Sequence, residues 1–158
     1  MYVSIIGVLS YFIGTALPRK WFNPERFPYK TLKIEKGGRI YEKLHIRKWK
    51  DKVPDMSKIY KKMVPKKFDI ASNSESLMIL IRETCVAEFM HDVLIFLGLG
   101  CMAIWDEAGG VICNFLWFIG NVPFVIIQRY NRPKLLKTYL RLSEYEKNGK
   151  KVLHSSCN

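Results

Sequence analysis

The fold is decided by residues 83–128, which read ETCVAEFMHDVLIFLGLGCMAIWDEAGGVICNFLWFIGNVPFVIIQ. This stretch contains neither Lys nor Arg, and residues 1–17 also lack both. All 26 basic residues lie instead in two blocks, Pro18 to Arg82 and Arg129 to Asn158. Apolar segments bordered by basic blocks are typical of integral membrane proteins that follow the positive-inside rule. The segregation therefore predicts a small all-α membrane protein.

Three transmembrane helices are predicted, at residues 1–17, 84–105 and 111–128. The first carries no charge and, at about 1.5 Å per residue, is just long enough to cross a bilayer. It lacks a basic n-region and a small-residue cleavage site, so we interpret it as a membrane helix rather than a signal peptide. We expect the second helix to begin outside the hydrocarbon, near Asn73 or Ser74, and the third to be kinked by Pro123.

The two basic segments, residues 18–83 and 129–158, are predicted to lie in the cytoplasm and the acidic loop 106–110 outside. The N-terminus is then outside and the C-terminus cytoplasmic. We expect interfacial amphipathic helices at Gly37–Trp49 and Arg129–Leu142, although the first of them also fits the surface of a small cytosolic domain. Beyond Glu146 we expect disorder. The whole chain, residues 1–158, is interpreted as a single membrane domain.

The net charge of +12 would usually point to nucleic acid. Because the bases adjoin apolar spans, we predict anionic lipid as their partner and no nucleic acid, while a phosphate-bearing ligand could use the same charge. The four cysteines, Cys85, Cys101, Cys113 and Cys157, have no metal-site spacing and are expected to be free thiols. A disulfide between the two that flank the short loop is the alternative. The sequence has no P-loop, dinucleotide-binding motif or nucleophile elbow.

Polar residues inside the predicted spans are the candidates for function, because ionisable groups in a membrane helix are costly. In the second helix, spacings of i, i+3 and i+4 place three of them on one face: Glu88, His91 and Asp92. In the third helix, a spacing of seven gives a second polar face: Asn114, Asn121 and Gln128. Antiparallel packing would bring the two faces together, and we predict that they line a polar pocket open to the cytoplasmic leaflet.

A histidine beside a carboxylate can act as a general base on an alcohol that attacks an acyl carbonyl. We therefore assign His91 as the candidate base, with Glu88 or Asp92 orienting it. An E-x-x-H pair can also bind a metal in a helical bundle, so Glu88 and His91 as metal ligands are an alternative. That alternative needs further ligands, and the only other histidines are His45 and His154.

Several short motifs resemble a known family when they are taken together and in order. They are Gly37-Gly38-Arg39; Arg47-Lys48-Trp49-Lys50-Asp51 with Pro54; Arg82-Glu83-Thr84 with Ala87, Glu88 and His91; and Asn121 with Pro123 before Gln128-Arg129-Tyr130-Asn131-Arg132. From about residue 27 to residue 140 they resemble the bacterial glycosyl-4,4'-diaponeurosporenoate acyltransferase family. The resemblance implies an enzyme of the bacterial cytoplasmic membrane that esterifies a sugar hydroxyl of a glycosylated lipid, in that family a carotenoid glucoside, with a fatty acyl group.

The matched motifs and the basic residues nominate substrate-binding candidates: Arg82, Arg47, Lys48, Trp49, Asn121, Gln128, Arg129 and Asn131. We assign Arg82, or Arg47 with Lys48, to oxyanion stabilisation or to the phosphates of the donor. We expect no metal and no resident cofactor, with acyl-CoA or acyl carrier protein as the thioester co-substrate. Membrane lipid and a lipid-linked acceptor are the expected partners. The alternative function is a non-enzymatic protein that binds anionic lipid or scaffolds a complex, and the sequence leaves open whether two copies form a homo-oligomer.

Overall fold

The computed structural model describes residues 1–53, 74–105 and 107–155. The α-helices in this part are α1 (Tyr2–Ala16), α2 (Ile46–Trp49), α3 (Ser74–Gly98), α4 (Gly100–Ile104) and α5 (Glu107–Ser155). Short 3-10 helices lie at Arg19–Trp21, Lys33–Leu44 and Lys50–Lys52. The described residues contain no strand. The prediction of an all-α fold is therefore confirmed.

The antiparallel pair of α3 and α5 forms the centre of the protein. The indole of Trp117 donates to the carbonyl of Leu94 at 2.7 Å, and Glu146 accepts from the backbone N–H of Ser74 at 2.8 Å. Two helical stretches, Ser74–Ile104 and Ala108–Gly149, are long and apolar enough to cross a membrane. The first covers the second predicted span as far as Ile104, and the other contains the third predicted span. The first predicted span is the shorter apolar helix α1, which packs chiefly against α3.

The hairpin between α4 and α5 is tighter than the sequence predicts. Helix α5 begins at Glu107, inside the loop predicted for residues 106–110, while Asp106 lies outside the described residues. A Cβ atom on Gly110 would lie 2.8 Å from the Cα of Met102 and 2.9 Å from the carbonyl oxygen of Cys101. Glycine is therefore required here so that two helices can approach closely. The sequence does not distinguish such a glycine from one in a loop.

Helix α5 is also longer than predicted, and it includes the residues of the expected interfacial helix at Arg129–Leu142. The helix is continuous through Pro123 and Pro133 as far as Ser155, beyond the point where we expected disorder. The side chain of Arg132 is only 1% exposed, because it pairs with α3 instead of reaching toward headgroups. The C-terminal half of α5 therefore continues the packing of its apolar half.

The predicted helix at Gly37–Trp49 is divided into two pieces. The 3-10 helix Lys33–Leu44 passes through left-handed conformations at residues 36–38, and His45 is left-handed before α2. At Gly38, where φ is +89°, a Cβ atom would lie 3.1 Å from the carbonyl oxygen of Tyr130. The glycine thus allows the backbone of this basic segment to lie directly on α5.

A buried charge network, formed by Glu35, Arg129, Glu88 and Arg132, joins the basic segment to both long helices. Arg129 donates from Nε to Glu88 at 2.8 Å and from Nη1 to Glu35 at 3.0 Å. Arg132 donates to the second carboxylate oxygen of Glu88, which like Arg132 is only 1% exposed. Two carboxylates and two guanidinium groups balance, which is the condition under which buried charges are tolerated.

Neutral groups satisfy other donors of the two arginines. Arg132 donates to the hydroxyl of Thr84 at 2.9 Å and to the carbonyl of Tyr29 at 2.8 Å, and Arg129 donates to the carbonyl of Pro28 at 2.8 Å. Burial raises the pKa of Tyr29 to about 12, so its phenol stays neutral beneath the guanidinium of Arg132. The loop before the 3-10 helix is thereby fixed on the same network.

Glu35 is held as a carboxylate. Burial by itself would raise the pKa of Glu35, but hydrogen bonds from the Tyr41 hydroxyl, the Leu32 N–H and Arg129 outweigh it and keep the pKa below its usual range. Burial and the neighbouring carboxylate raise the pKa of Tyr41, which therefore remains protonated as a donor. The charge on Glu35 is thus maintained at neutral pH.

The α4–α5 hairpin predicts an oxidative cross-link. The Sγ atoms of Cys101 and Cys113 lie 3.4 Å apart as free thiols. A mild thiol oxidant should join them within one chain, and peptide mapping by mass spectrometry without reduction should detect the linked peptides. Cys85, which is fully buried in α3, is the internal control and should stay unlinked. Linkage of Cys101 to Cys85 instead would contradict this helix pairing.

The buried charge network predicts a large effect on stability when Glu88 is neutralised. Glu88→Gln leaves two arginines without their shared counter-charge, so the free energy of unfolding should fall by about 3–5 kcal/mol. Glu42→Gln is the matched control, because Glu42 pairs with Arg47 at 2.6 Å on the surface and its loss should leave stability unchanged. Thermal unfolding in detergent measures both variants. Equal midpoints for the two would show that the network does not hold the fold together.

Candidate active site

The imidazole of His91 lies between α3 and α5, held by two residues of α5. Its Nδ1 atom is 2.9 Å from Oδ1 of Asn121. Its ring is stacked on Phe124, with the ring centroids 4.4 Å apart and the planes 9° from parallel. The contact between the predicted polar faces of the two helices is therefore present at His91 and Asn121. We call His91, Asn121 and Phe124 the histidine site.

The hydrogen bonds of Asn121 determine the tautomer of His91. The amide nitrogen of Asn121 donates to the carbonyl of Trp117 at 2.8 Å, which directs its carbonyl oxygen toward His91. Because that oxygen can only accept, Nδ1 of His91 must carry a proton. In the neutral ring, Nε2 then holds the free lone pair, which is the state that a general base requires.

The structure places the two predicted carboxylates differently from each other. Both oxygens of Glu88 accept from arginines, so the residue that holds His91 is Asn121 and not Glu88. Two guanidinium groups beside Glu88 also disfavour a metal ion shared by Glu88 and His91. Asp92 is half-buried and interacts electrostatically with Arg129 and His91. Of the two carboxylates predicted to orient His91, Asp92 is therefore the one that remains a candidate.

Sequence reasoning did not select Glu35, Arg132 or Phe124 as site residues. A signal existed for Glu35, which is the only acid between Arg26 and Tyr41 in a strongly basic segment. A lone acid among bases is a candidate for a buried partner rather than a solvated charge. No comparable signal exists for Phe124, which is one apolar residue among many in its helix. Among the described residues, no three His, Cys, Asp or Glu side chains gather as a metal site.

The predicted basic candidates divide between the network and the surface. Arg129 belongs to the buried charge network. Arg47 donates from Nε to the hydroxyl of Tyr130 at 3.2 Å, and Lys134 lies 3.2 Å above the ring of the same tyrosine. We call Arg47, Lys134 and Tyr130 the basic cluster. Tyr130, at the centre of this cluster, lies on the same helix as Asn121, about 14 Å away along the axis.

In the part of the chain that the structure describes, no hydrogen bond joins the other substrate-binding candidates to the histidine site. Lys48 is exposed, and the indole of Trp49 donates to the carbonyl of Leu44 at 2.9 Å. Gln128 and Asn131 are half-buried on α5. Arg82 is half-buried on α3, and its buried Nε has no hydrogen-bond partner among the described residues. The substrate-binding roles of these residues stay predictions.

Two apolar grooves run along the half of the bundle that is nearer to the α4–α5 hairpin. The α1–α5 groove has a volume of about 430 Å³ and is lined by Val3, Cys113, Leu116, Trp117, Gly120, Asn121 and Phe124. The α3–α5 groove has a volume of about 380 Å³ and is lined by Ile95, Phe96, Leu99, Val111, Asn114, Phe115 and Phe118. The first groove contains both residues that hold His91, and the second contains neither.

Comparison with known proteins identifies the family. The family model for glycosyl-4,4'-diaponeurosporenoate acyltransferase matches residues 18–141. The proteins of that name from Staphylococcus aureus strains MRSA252 and bovine RF122 / ET3-1 are 31% and 30% identical to this chain over 139 residues, which cover 85% of this chain and 82% of theirs. No solved structure matches the chain at a significant level. The chain therefore belongs to the glycosyl-4,4'-diaponeurosporenoate acyltransferase family.

Proposed function

We propose that this protein is a membrane O-acyltransferase that moves a fatty acyl group from a thioester donor to a sugar hydroxyl of a glycolipid, with His91 as the general base. Family membership supports acyl transfer, and a glycosylated carotenoid acid is the acceptor class named for the relatives. The observation that carries the assignment of the base is the hydrogen bond from His91 Nδ1 to Asn121. That bond leaves Nε2 free to accept a proton.

The proposed reaction is a direct displacement at the thioester carbonyl. Nε2 of His91 takes the proton of the sugar hydroxyl as its oxygen attacks the carbonyl carbon. The tetrahedral adduct then collapses, the carbon–sulfur bond breaks, and the new ester carbon–oxygen bond remains. The proton passes from the imidazolium to the departing thiolate, which restores the neutral ring. Asp92 favours the intermediate imidazolium through its negative charge.

The basic cluster is the proposed site for the phosphates of the donor. Arg47 and Lys134 both lie at Tyr130, about 14 Å along α5 from Asn121. A carrier such as coenzyme A or acyl carrier protein places its phosphate and its thioester at opposite ends of a pantetheine arm, whose length is on the order of that separation. The positive charge would also raise the local concentration of an anionic donor.

The membrane placement rests on the exposure of the apolar helices. In the most apolar 18-residue stretch of Ser74–Ile104, only 39% of the residues are buried within the protein. In the corresponding stretch of Ala108–Gly149, only 11% are buried. Core helices of a soluble protein would be mostly buried, so these faces require an apolar medium. We propose a single membrane domain with three crossings, α1 being the first, in which both basic segments are cytoplasmic and contact anionic headgroups. The relatives' bacterial source suggests the cytoplasmic membrane.

The catalytic proposal predicts the behaviour of three histidine variants. His91→Ala should lower acyl transfer by about 10² to 10⁴. His91→Gln should lower it as much, while its amide can still donate to Asn121 and preserve folding. His45→Asn is the matched control, because asparagine tolerates the left-handed conformation of that exposed residue and turnover should stay normal. Transfer from a radiolabelled acyl-CoA to a glycolipid in detergent measures all three.

Thermal unfolding of the same variants separates a base from a structural histidine. If His91→Gln restores both stability and turnover, the histidine acts through its hydrogen bond and the general-base assignment fails. If the unaltered protein transfers no acyl group but binds vesicles of anionic lipid, the non-enzymatic lipid-binding alternative is favoured.

The proposed topology predicts the accessibility of single cysteines placed in a cysteine-free background. A membrane-impermeant maleimide should label Ala108→Cys in intact cells, and so should a cysteine in a short N-terminal extension. Lys20→Cys and Lys147→Cys should react only after permeabilisation. An N-terminal cysteine that also requires permeabilisation would exclude α1 as a crossing helix. The reverse pattern at Ala108 and Lys147 would overturn the orientation.

A further inference from the structure

We infer that the α1–α5 groove holds the acyl chain of the donor, and that Gly120 sets the length of chain that the enzyme accepts. The inference rests on the proposed function and goes beyond it by assigning a substrate subsite. Its occupant is a single linear hydrocarbon chain attached to a thioester. The assignment rests on the position, lining and shape of the groove.

The groove is continuous with the histidine site. Asn121 and Phe124, which hold His91 by a hydrogen bond and a ring stack, also line one end of the groove. Cys113 and Val3 mark the other end. A chain bound along this line would have its first carbon beside the imidazole. The groove is therefore placed to present a carbonyl to the reacting hydroxyl.

The order of chemical features along α5 matches the order along an acyl thioester. The basic cluster at Tyr130 comes first, the histidine site at Asn121 second, and the apolar groove toward Cys113 third. An acyl donor likewise has phosphate, then thioester carbonyl, then hydrocarbon. A glycolipid acceptor that carries no phosphate would leave the cationic end unused. Charge complementarity thus selects the donor as the occupant.

The size of the groove suits one acyl chain. Cys113 and Phe124 are separated by about 16 Å along the helix axis, and the volume of about 430 Å³ is in the range of small-molecule pockets. The groove remains open because α1 packs chiefly against α3 and covers this face of α5 only in part, with Val3 in the lining. The α3–α5 groove is similarly apolar but does not contain Asn121 or Phe124, so it serves as a comparison site.

Gly120 is the position at which the groove can be blocked without disturbing the fold. No atom lies within 4 Å of a Cβ built on this residue, so a larger side chain would project into open space. Gly120→Phe should lower kcat/KM for long saturated acyl-CoAs by about 10- to 100-fold relative to short ones. Gly120→Ala should give a smaller shift in the same direction. Leu116→Ala, which widens the groove, should favour longer chains.

Leu99→Trp is the matched control, because it places a large aromatic side chain in the α3–α5 groove, and its chain-length profile should equal that of the unaltered protein. Each protein is assayed for transfer and for thermal stabilisation by saturated acyl-CoAs of increasing length. Stabilisation that grows with chain length in the unaltered protein, and stops growing at shorter chains in Gly120→Phe, supports the inference even where transfer is slow.

Two results would overturn the assignment. One is a Gly120→Phe profile identical to that of the unaltered protein while the variant stays folded and binds donor. The other is a shift in Leu99→Trp instead, which would place the chain in the second groove. Failure of the proposed function has a different signature: the unaltered protein binds acyl-CoA with chain-length dependence but transfers nothing. Absence of both binding and transfer would reject the inference and the proposed function together.

Discussion

The ion pairs of Glu88 with Arg129 and Arg132 are the interaction on which the rest of the structure depends. They join α3 to α5 at a point where Glu88 and Arg132 are almost completely buried. Arg129 extends the network to Glu35, which attaches the basic segment to the two long helices. A charge buried at this depth is tolerated only with its partner in place, so helix register, loop position and segment docking are determined together.

The same register divides the bundle into two chemically different halves. Toward the ends that meet at Ser74 and Glu146, charged and hydrogen-bonded side chains connect the helices. Toward the α4–α5 hairpin, apolar side chains line the grooves. His91 lies where the two halves meet, stacked on Phe124 and bonded to Asn121. The proposed thioester donor has the same division between an anionic carrier and a hydrocarbon tail, so this boundary suits the proposed acyl transfer.

Much of the architecture could be predicted because hydrophobic segments and charge are local properties of a chain. The starts of α1 and α3 and the two long apolar helices follow from uncharged runs and an N-cap residue. The face that contains His91 follows from helical spacing, and its contact with Asn121 follows from antiparallel packing. Gly110 and Arg132 show where local reasoning fails. From the sequence, a glycine that permits helix contact cannot be distinguished from a glycine in a loop. A buried arginine likewise cannot be distinguished from one that faces lipid headgroups.

The sequence by itself determined the helical class, the two long apolar helices, the segregation of charge and the histidine as the leading candidate for catalysis. Only the tertiary structure decided which partners the polar groups have. Glu88 is adjacent to His91 on one helix face, yet it pairs with arginines of α5, and Asn121 sets the tautomer of the imidazole. The physical reason is that a buried carboxylate is stabilised far more by a guanidinium than by a neutral imidazole. Whether Glu88 pairs with the arginines or with the imidazole depends on the register of the two helices, which no local sequence pattern predicts.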